Sequence, residues 1–138
     1  MNTRCLILFL AVVLLLSGCE VMLPGIAPRA SQNAGVLALL NQAEQEISAG
    51  RFQAAGTSLE RALRIEPRNP VLWQKLAQIR LEQVEYRQAE NLAAKSNALA
   101  PDSRRLRAEN WRIIGQARQG LGDRDGAQAA FEKARSGK

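Results

Sequence analysis

The sequence predicts an all-α solenoid of about three helix-turn-helix repeats, six helices in all, behind a separate N-terminal leader. Three observations predict it. Apolar and small residues recur at helical spacing from Ala34 onward. Turn-forming residues punctuate that pattern at Gly50, Asn69-Pro70, Pro101 and Gly122. The pattern also repeats: a shift of 34 residues lays Pro101 on Pro67, Leu99 on Ile65, Ala89 on Ala55 and Tyr86 on Phe52.

Residues 1–18 read as a lipoprotein signal peptide. Arg4 supplies a positive start, Leu6 to Leu16 is an apolar run too short for a comfortable membrane span, and Ser17-Gly18 are small. Leu16-Ser17-Gly18-Cys19 resembles a bacterial lipobox. That resemblance implies lipidation of Cys19, whose thiolate takes the diacylglycerol while small residues before it fit the peptidase cleft. An ordinary secretory signal and a short anchor helix are the alternative readings. Glu20, where an aspartate would retain the protein at the inner membrane, implies sorting to the outer membrane with the domain facing the periplasm. Residues 19–33 form the lipidated cysteine and a flexible tether, in which Pro24-Gly25 and Pro28 interrupt any helix. Fully extended, residues 20–33 reach about 45 Å, which keeps the domain near its membrane.

The remainder, residues 34–138, reads as helices 34–49, 53–65, 70–83, 87–99, 103–120 and 124–135. Gly50 ends the first helix, where a left-handed residue is needed. Asn69 can cap the third helix, and Pro70 sits at its first position, where a missing N–H costs nothing. Val84 occupies the glycine site of the middle repeat, so a slightly irregular turn is expected there. Trp73 maps to Trp111, 38 positions on. The surplus over the repeat period, about one helical turn, falls near Ser103-Arg104-Arg105-Leu106 and should lengthen the fifth helix. Gly122, Asp123, Phe131 and Ala134 complete the last repeat.

Large residues at Leu39, Trp73 and Trp111, each followed four positions later by a small one (Ala43, Ala77, Gly115), resemble the tetratricopeptide repeat, with repeats at about 36–69, 70–103 and 108–138. Core packing explains those aromatics and alanines. The first repeat departs from the pattern, with Leu39 for the aromatic and Gln42 for a leucine. No polar capping helix follows the third repeat, so either its own polar residues suffice or another chain covers it; a monomer is expected, a dimer the alternative. The resemblance further implies a concave groove lined by the first helix of each repeat. Carried over, the groove residues are Leu40, Glu44 and Ile47, then Gln74, Gln78 and Leu81, then Arg112, Gln116 and Gln119. Leu40 and Glu44 stand where chaperone-binding members carry the lysine and asparagine of a carboxylate clamp, which excludes that subclass.

Composition narrows the chemistry. Histidine is absent, Cys5 lies in the leader and Cys19 would be consumed by lipid, so no general base of the usual kind, free thiol or disulfide is left to the domain. No glycine-rich phosphate loop or metal-ligand spacing occurs, and neither Glu44/Glu46 nor Asp123/Asp125 is a facing carboxylate pair. Catalysis, a cofactor and a metal are not expected. The net charge of +6 comes from 19 basic and 13 acidic residues. The densest basic patch is Arg104, Arg105 and Arg107, with Arg112 beyond it. A solvated helix face explains it; an acidic protein, anionic lipid head groups or cell-wall polymers are the sharper readings. Export makes nucleic acid an improbable partner.

Nearly the whole chain resembles small outer-membrane lipoproteins with tetratricopeptide repeats, which bind other envelope proteins. One group activates bifunctional peptidoglycan synthases, the class A penicillin-binding proteins; another, usually with more repeats, assembles the type IV pilus secretin. A third serves outer-membrane protein insertion. Three repeats on a short tether favour the synthase activator by analogy, with a secretin partner or a passive self-associating scaffold as alternatives.

Overall fold

The computed structural model describes residues 31–137. The signal peptide, Cys19 and the tether up to residue 30 lie outside them. The described residues form six helices and no strand: α1 (Ala34–Ser48), α2 (Phe52–Ile65), α3 (Pro70–Glu82), α4 (Tyr86–Leu99), α5 (Arg104–Gly120) and α6 (Arg124–Ser136). Each helix packs on the next, and α3 also touches α5. Three antiparallel hairpins therefore stack in a row, which is the solenoid expected from the repeat.

Local chemistry sets the boundaries. Asn33 Oδ1 accepts from the backbone of Gly35 and Val36, at 2.9 and 3.3 Å, and starts α1. Asn69 Oδ1 accepts from Val71 N at 3.1 Å with Pro70 behind it, and Asp123 Oδ1 accepts from Gly126 N at 2.9 Å. These bonds satisfy amides that no helical carbonyl can reach. The fifth helix has 17 residues where the third has 13, and its added turn buries Leu106.

The turn at Val84 is as regular as its glycine counterparts, contrary to expectation. Val84 has φ 64°, beside 71° at Gly50 and 84° at Gly122. Its two closing bonds, Val84 N to Leu81 O at 3.0 Å and Glu85 N to Arg80 O at 2.8 Å, repeat those at Gly50-Arg51 and Gly122-Asp123. Stacking against both neighbouring repeats holds the turn, and the valine backbone takes up the strain.

The core has two parts. Val36, Leu39, Leu40, Leu59, Leu63, Leu72, Leu76 and Ile79 close the first, between α1, α2 and α3, with Trp73 and Leu92 packed on it. Ala77, Ala89, Ala93, Ile113, Ile114, Ala117 and Ala130 close the second, under Leu81, Tyr86, Leu92 and Trp111. Small residues dominate the second because its helices approach closely: a Cβ on Gly115 would stand 2.5 Å from the Phe131 ring. Helix α3 serves both parts, which is why neither of its faces is wholly polar.

Buried polar groups pin the helices to each other. Glu46 accepts from Ser58 Oγ of α2 at 2.9 Å and from Gln42 Nε2, one turn earlier on α1, at 3.1 Å. Asn110, with no exposed surface, donates to Ser96 Oγ at 2.8 Å and Asn97 Oδ1 at 2.9 Å, and Ser96 donates on to Pro70 O at 2.8 Å. That chain links α3, α4 and α5. Buried polar bonds of this kind fix one register, since slippage would break them.

Candidate functional site

The inner ends of the helices leave one long depression of about 780 Å³, lined by residues of α1, α2, α3 and α5. Ile47, Gln78, Leu81, Arg112 and Gln116 all face it. These five groove residues of the sequence come together because the first helix of each repeat lies alongside the next. The floor is apolar, from Ile47, Phe52, Ile79, Leu81 and Ile113; Lys75, Glu82, Glu109 and Arg112 supply charge on the walls, and Gln78 and Gln116 supply amides.

Two expected groove residues are not available to a ligand. Leu40 is buried in the first core part beside Leu72 and Leu76. Gln74 is buried as well, donating to Glu109 Oε2 at 2.9 Å across the α3–α5 contact. Both lie where a helix turns its side towards its neighbour, which the one-to-one carry-over from the family could not resolve. Glu44 stands at the groove's rim in a shallower depression with Asn41, Gln45 and Ser48, paired to Lys75 Nζ at 3.2 Å. Gln119 lies a turn further along α5, in a separate depression of about 580 Å³ shared with Arg124, Gln128, Phe131 and Arg135. It does not belong to the groove.

The sequence reading also missed lining residues. Phe52 comes from a second helix, and Lys75, Glu82 and Glu109 from positions between those carried over. The Lys75–Glu44 pair, i to i+31, was legible only as opposite charges on adjacent first helices. Among the described residues no group of histidine, cysteine or carboxylates could hold a metal.

The basic patch divides. Arg104 and Arg105 are exposed, and Arg105 Nε makes an i,i+4 contact with Glu109 at 3.2 Å. Arg107 is half-buried and donates to Pro101 O at 3.0 Å, so it braces the turn before α5. Elsewhere two arginines are held in ion pairs: Arg80 with Glu60 and Glu85, and Arg118 with Glu90.

With this geometry in hand, the chain can be set beside known proteins. A family profile described as tetratricopeptide repeat matches residues 46–108. A search of curated protein sequences returned no match. Among solved structures, the globular C-terminal domain of P. aeruginosa LpoP is 41% identical, with a TM-score of 0.73, 76% of this chain and 99% of that chain being covered. The N-terminal domain of the stress-induced protein STI-1 from C. elegans is 18% identical at a TM-score of 0.67, over 76% of this chain and 87% of that one. The second repeat domain of Spaghetti (RPAP3), solved with the HSP90 peptide SRMEEVD, is 18% identical at 0.67, over 76% and 94%. These last two share the fold alone. No helix among the described residues is long and apolar enough to cross a membrane. The identity with the LpoP domain extends over nearly all of it, and the repeat profile falls on the centre of the same stack: the chain belongs to the tetratricopeptide-repeat family, alongside the LpoP C-terminal domain.

Proposed function

We propose that this chain is a non-enzymatic envelope lipoprotein, anchored through Cys19 in the outer membrane, whose groove binds a bifunctional peptidoglycan synthase and activates it. The observation that carries the reading is the 41% identity to the LpoP domain over 99% of its length. That relative is itself a C-terminal domain, so it too follows an N-terminal portion, as the repeats here follow the leader and tether. Three repeats on a short tether favour the synthase-activating group by analogy.

The groove suits a protein segment better than a small metabolite. It is open along its length, its apolar floor can take alternate side chains of an extended or helical segment, and Gln78 and Gln116 can pair with that segment's polar groups. Activation then means that the domain binds the active conformation of the synthase more tightly than the resting one, and shifts the population by that difference.

Photo-crosslinking in living cells from Gln78, on the groove wall, tests the partner. Capture of a class A penicillin-binding protein supports the reading; capture of a pilus secretin or of a sister chain overturns it. In a purified stimulation assay, Arg112→Ala or Gln78→Ala should raise the half-saturating concentration of the domain by about fivefold, the effect of losing a single moderate interface contact.

A further inference from the structure

The stack has two edges, and they differ in charge. One edge carries the start of α1, the α2–α3 and α4–α5 turns and the end of α6. Several contacts bring these together: Ser31 Oγ donates to Glu66, Ser96 Oγ to Pro70 O, and a Cβ on Gly137 would lie 3.9 Å from Arg104 Cδ. The opposite edge carries the α1–α2, α3–α4 and α5–α6 turns, joined by Gln83 Nε2 to Gln53 Oε1 at 2.9 Å and by Arg118 to Glu90.

On the first edge Arg64, Arg68, Lys95, Arg104, Arg105 and Arg135 are all exposed. Against these six stand Glu66, Asp102, Glu109 and Glu132. Two of those carboxylates are already engaged, Glu66 by Ser31 and Asn69, and Glu109 by Gln74 and Arg105. On the second edge Glu82, Glu85, Glu90, Asp123 and Asp125 are matched by Arg51, Arg80, Arg87, Arg118 and Arg124, with Arg80 and Arg118 held in ion pairs. The first edge is thus basic and the second close to neutral.

The chain enters the fold at the basic edge. Residues 1–30 connect directly to Ser31, which is bonded to Glu66 in the first turn of that edge. We infer that the basic edge is a membrane-docking surface: it rests on anionic phospholipid head groups of the bilayer that holds the tether. This placement rests on the lipid-anchor reading above. The chemistry is that of a juxtamembrane polybasic cluster, where each exposed arginine or lysine near the surface adds a modest attraction and salt removes it. Docked this way, the stack stands on its turns, the near-neutral edge faces away from the bilayer, and the groove opens sideways.

The test needs no anchor, so its result is independent of the fate of the lipidation reading. The six helices and both core parts close within residues 31–137, and the LpoP relative is a globular domain of the same extent, so a chain of residues 31–138 is a folded unit. It is sedimented with phosphatidylcholine vesicles, with and without phosphatidylglycerol, at low and at high salt. The expected result is binding to the phosphatidylglycerol vesicles at low salt only. The double variant Arg104→Glu/Arg105→Glu should lose at least about tenfold in that binding. The double variant Arg87→Glu/Arg124→Glu, equal in net charge but on the opposite edge, should lose less than about twofold. Circular dichroism confirms that both stay helical. No binding to anionic vesicles at low salt overturns the proposal and leaves the edge to an acidic protein. Equal loss from the two double variants also overturns it, because the attraction would then be to net charge and not to an edge. Whether mature protein carries lipid at Cys19 is read separately, from its mass.

Discussion

Val84 holds a backbone conformation that suits glycine, and the cost of holding it can be measured. A non-glycine residue in the left-handed region costs roughly 1–2 kcal/mol, while glycine there loses about 0.5–1 kcal/mol more chain entropy on folding. The Val84 side chain is 63% exposed, so little burial offsets the difference. Val84→Gly should therefore stabilise the domain by about 0.5–1 kcal/mol and raise Tm by a few degrees. Gly50→Ala is the mirror experiment. A Cβ there meets nothing within 4 Å, so its destabilisation, about 1 kcal/mol, would report backbone strain alone. If Val84→Gly leaves Tm unchanged or lowers it, the stacked repeats do not impose the turn as argued. The same residue marks a limit of sequence reasoning. Valine's β-branched chain argues against a left-handed turn, and only the repeat register places one there. Leu40 and Gln74 failed for a related reason: spacing puts a residue on the first helix, but the tilt of that helix against its neighbour decides whether the side chain faces groove or core.

Helices were far more legible than side-chain placement, because capping and turn chemistry act locally. Asn33, Asn69 and Asp123 cap three helices from their own side chains, and the helix bounds follow the sequence reading within a residue or two. What local chemistry does not carry is how firmly each helix is held. Helices α1 and α6 are both terminal, each in close backbone contact with a single neighbour. Yet α1 buries Val36, Leu39 and Leu40, whereas α6 buries only Ala127 and Ala130 and lays Phe131 against Gly115. At roughly 1.5–3 kcal/mol for each fully buried aliphatic side chain, α1 is much better anchored. Native-state hydrogen exchange should accordingly show α6 opening at lower free energy than every other helix, α1 included. Phe131→Ala should lower the protection of α6 further while leaving that of α1 within error. Equal protection at the two ends would mean that the cation–π contact of Lys133 with Trp111, 4.3 Å from the ring centroid, holds α6 more firmly than its apolar burial does.

At the scale of the whole stack, the question is whether the two core parts fold as one. Repeat arrays are sums of weakly stable units and the interfaces between them, and about three units are the minimum that closes a core. Here the interface is unusually shared. Helix α3 gives Leu72, Leu76 and Ile79 to the first part and Ala77 and Leu81 to the second, Leu92 packs on both, and Asn110 ties α5 to α4 and, through Ser96, to α3. Neither part keeps its core if α3 melts, so unfolding should be a single cooperative transition, the minor opening of α6 aside. The chain carries its own reporters. Trp73 packs on the first part with its Nε1 donating to Pro67 O at 2.8 Å, and Trp111 packs on the second. Trp111→Phe leaves a reporter of the first part and Trp73→Phe a reporter of the second. In urea, each variant's fluorescence transition should coincide with its own circular-dichroism transition. Leu76→Ala, which empties a site of the first part at a cost of about 2–5 kcal/mol, should move the midpoint seen by Trp111 as far as that seen by Trp73. A midpoint at Trp111 that stays put would divide the molecule into two independently folding halves, and the groove, which spans both, would then be assembled only when the halves dock.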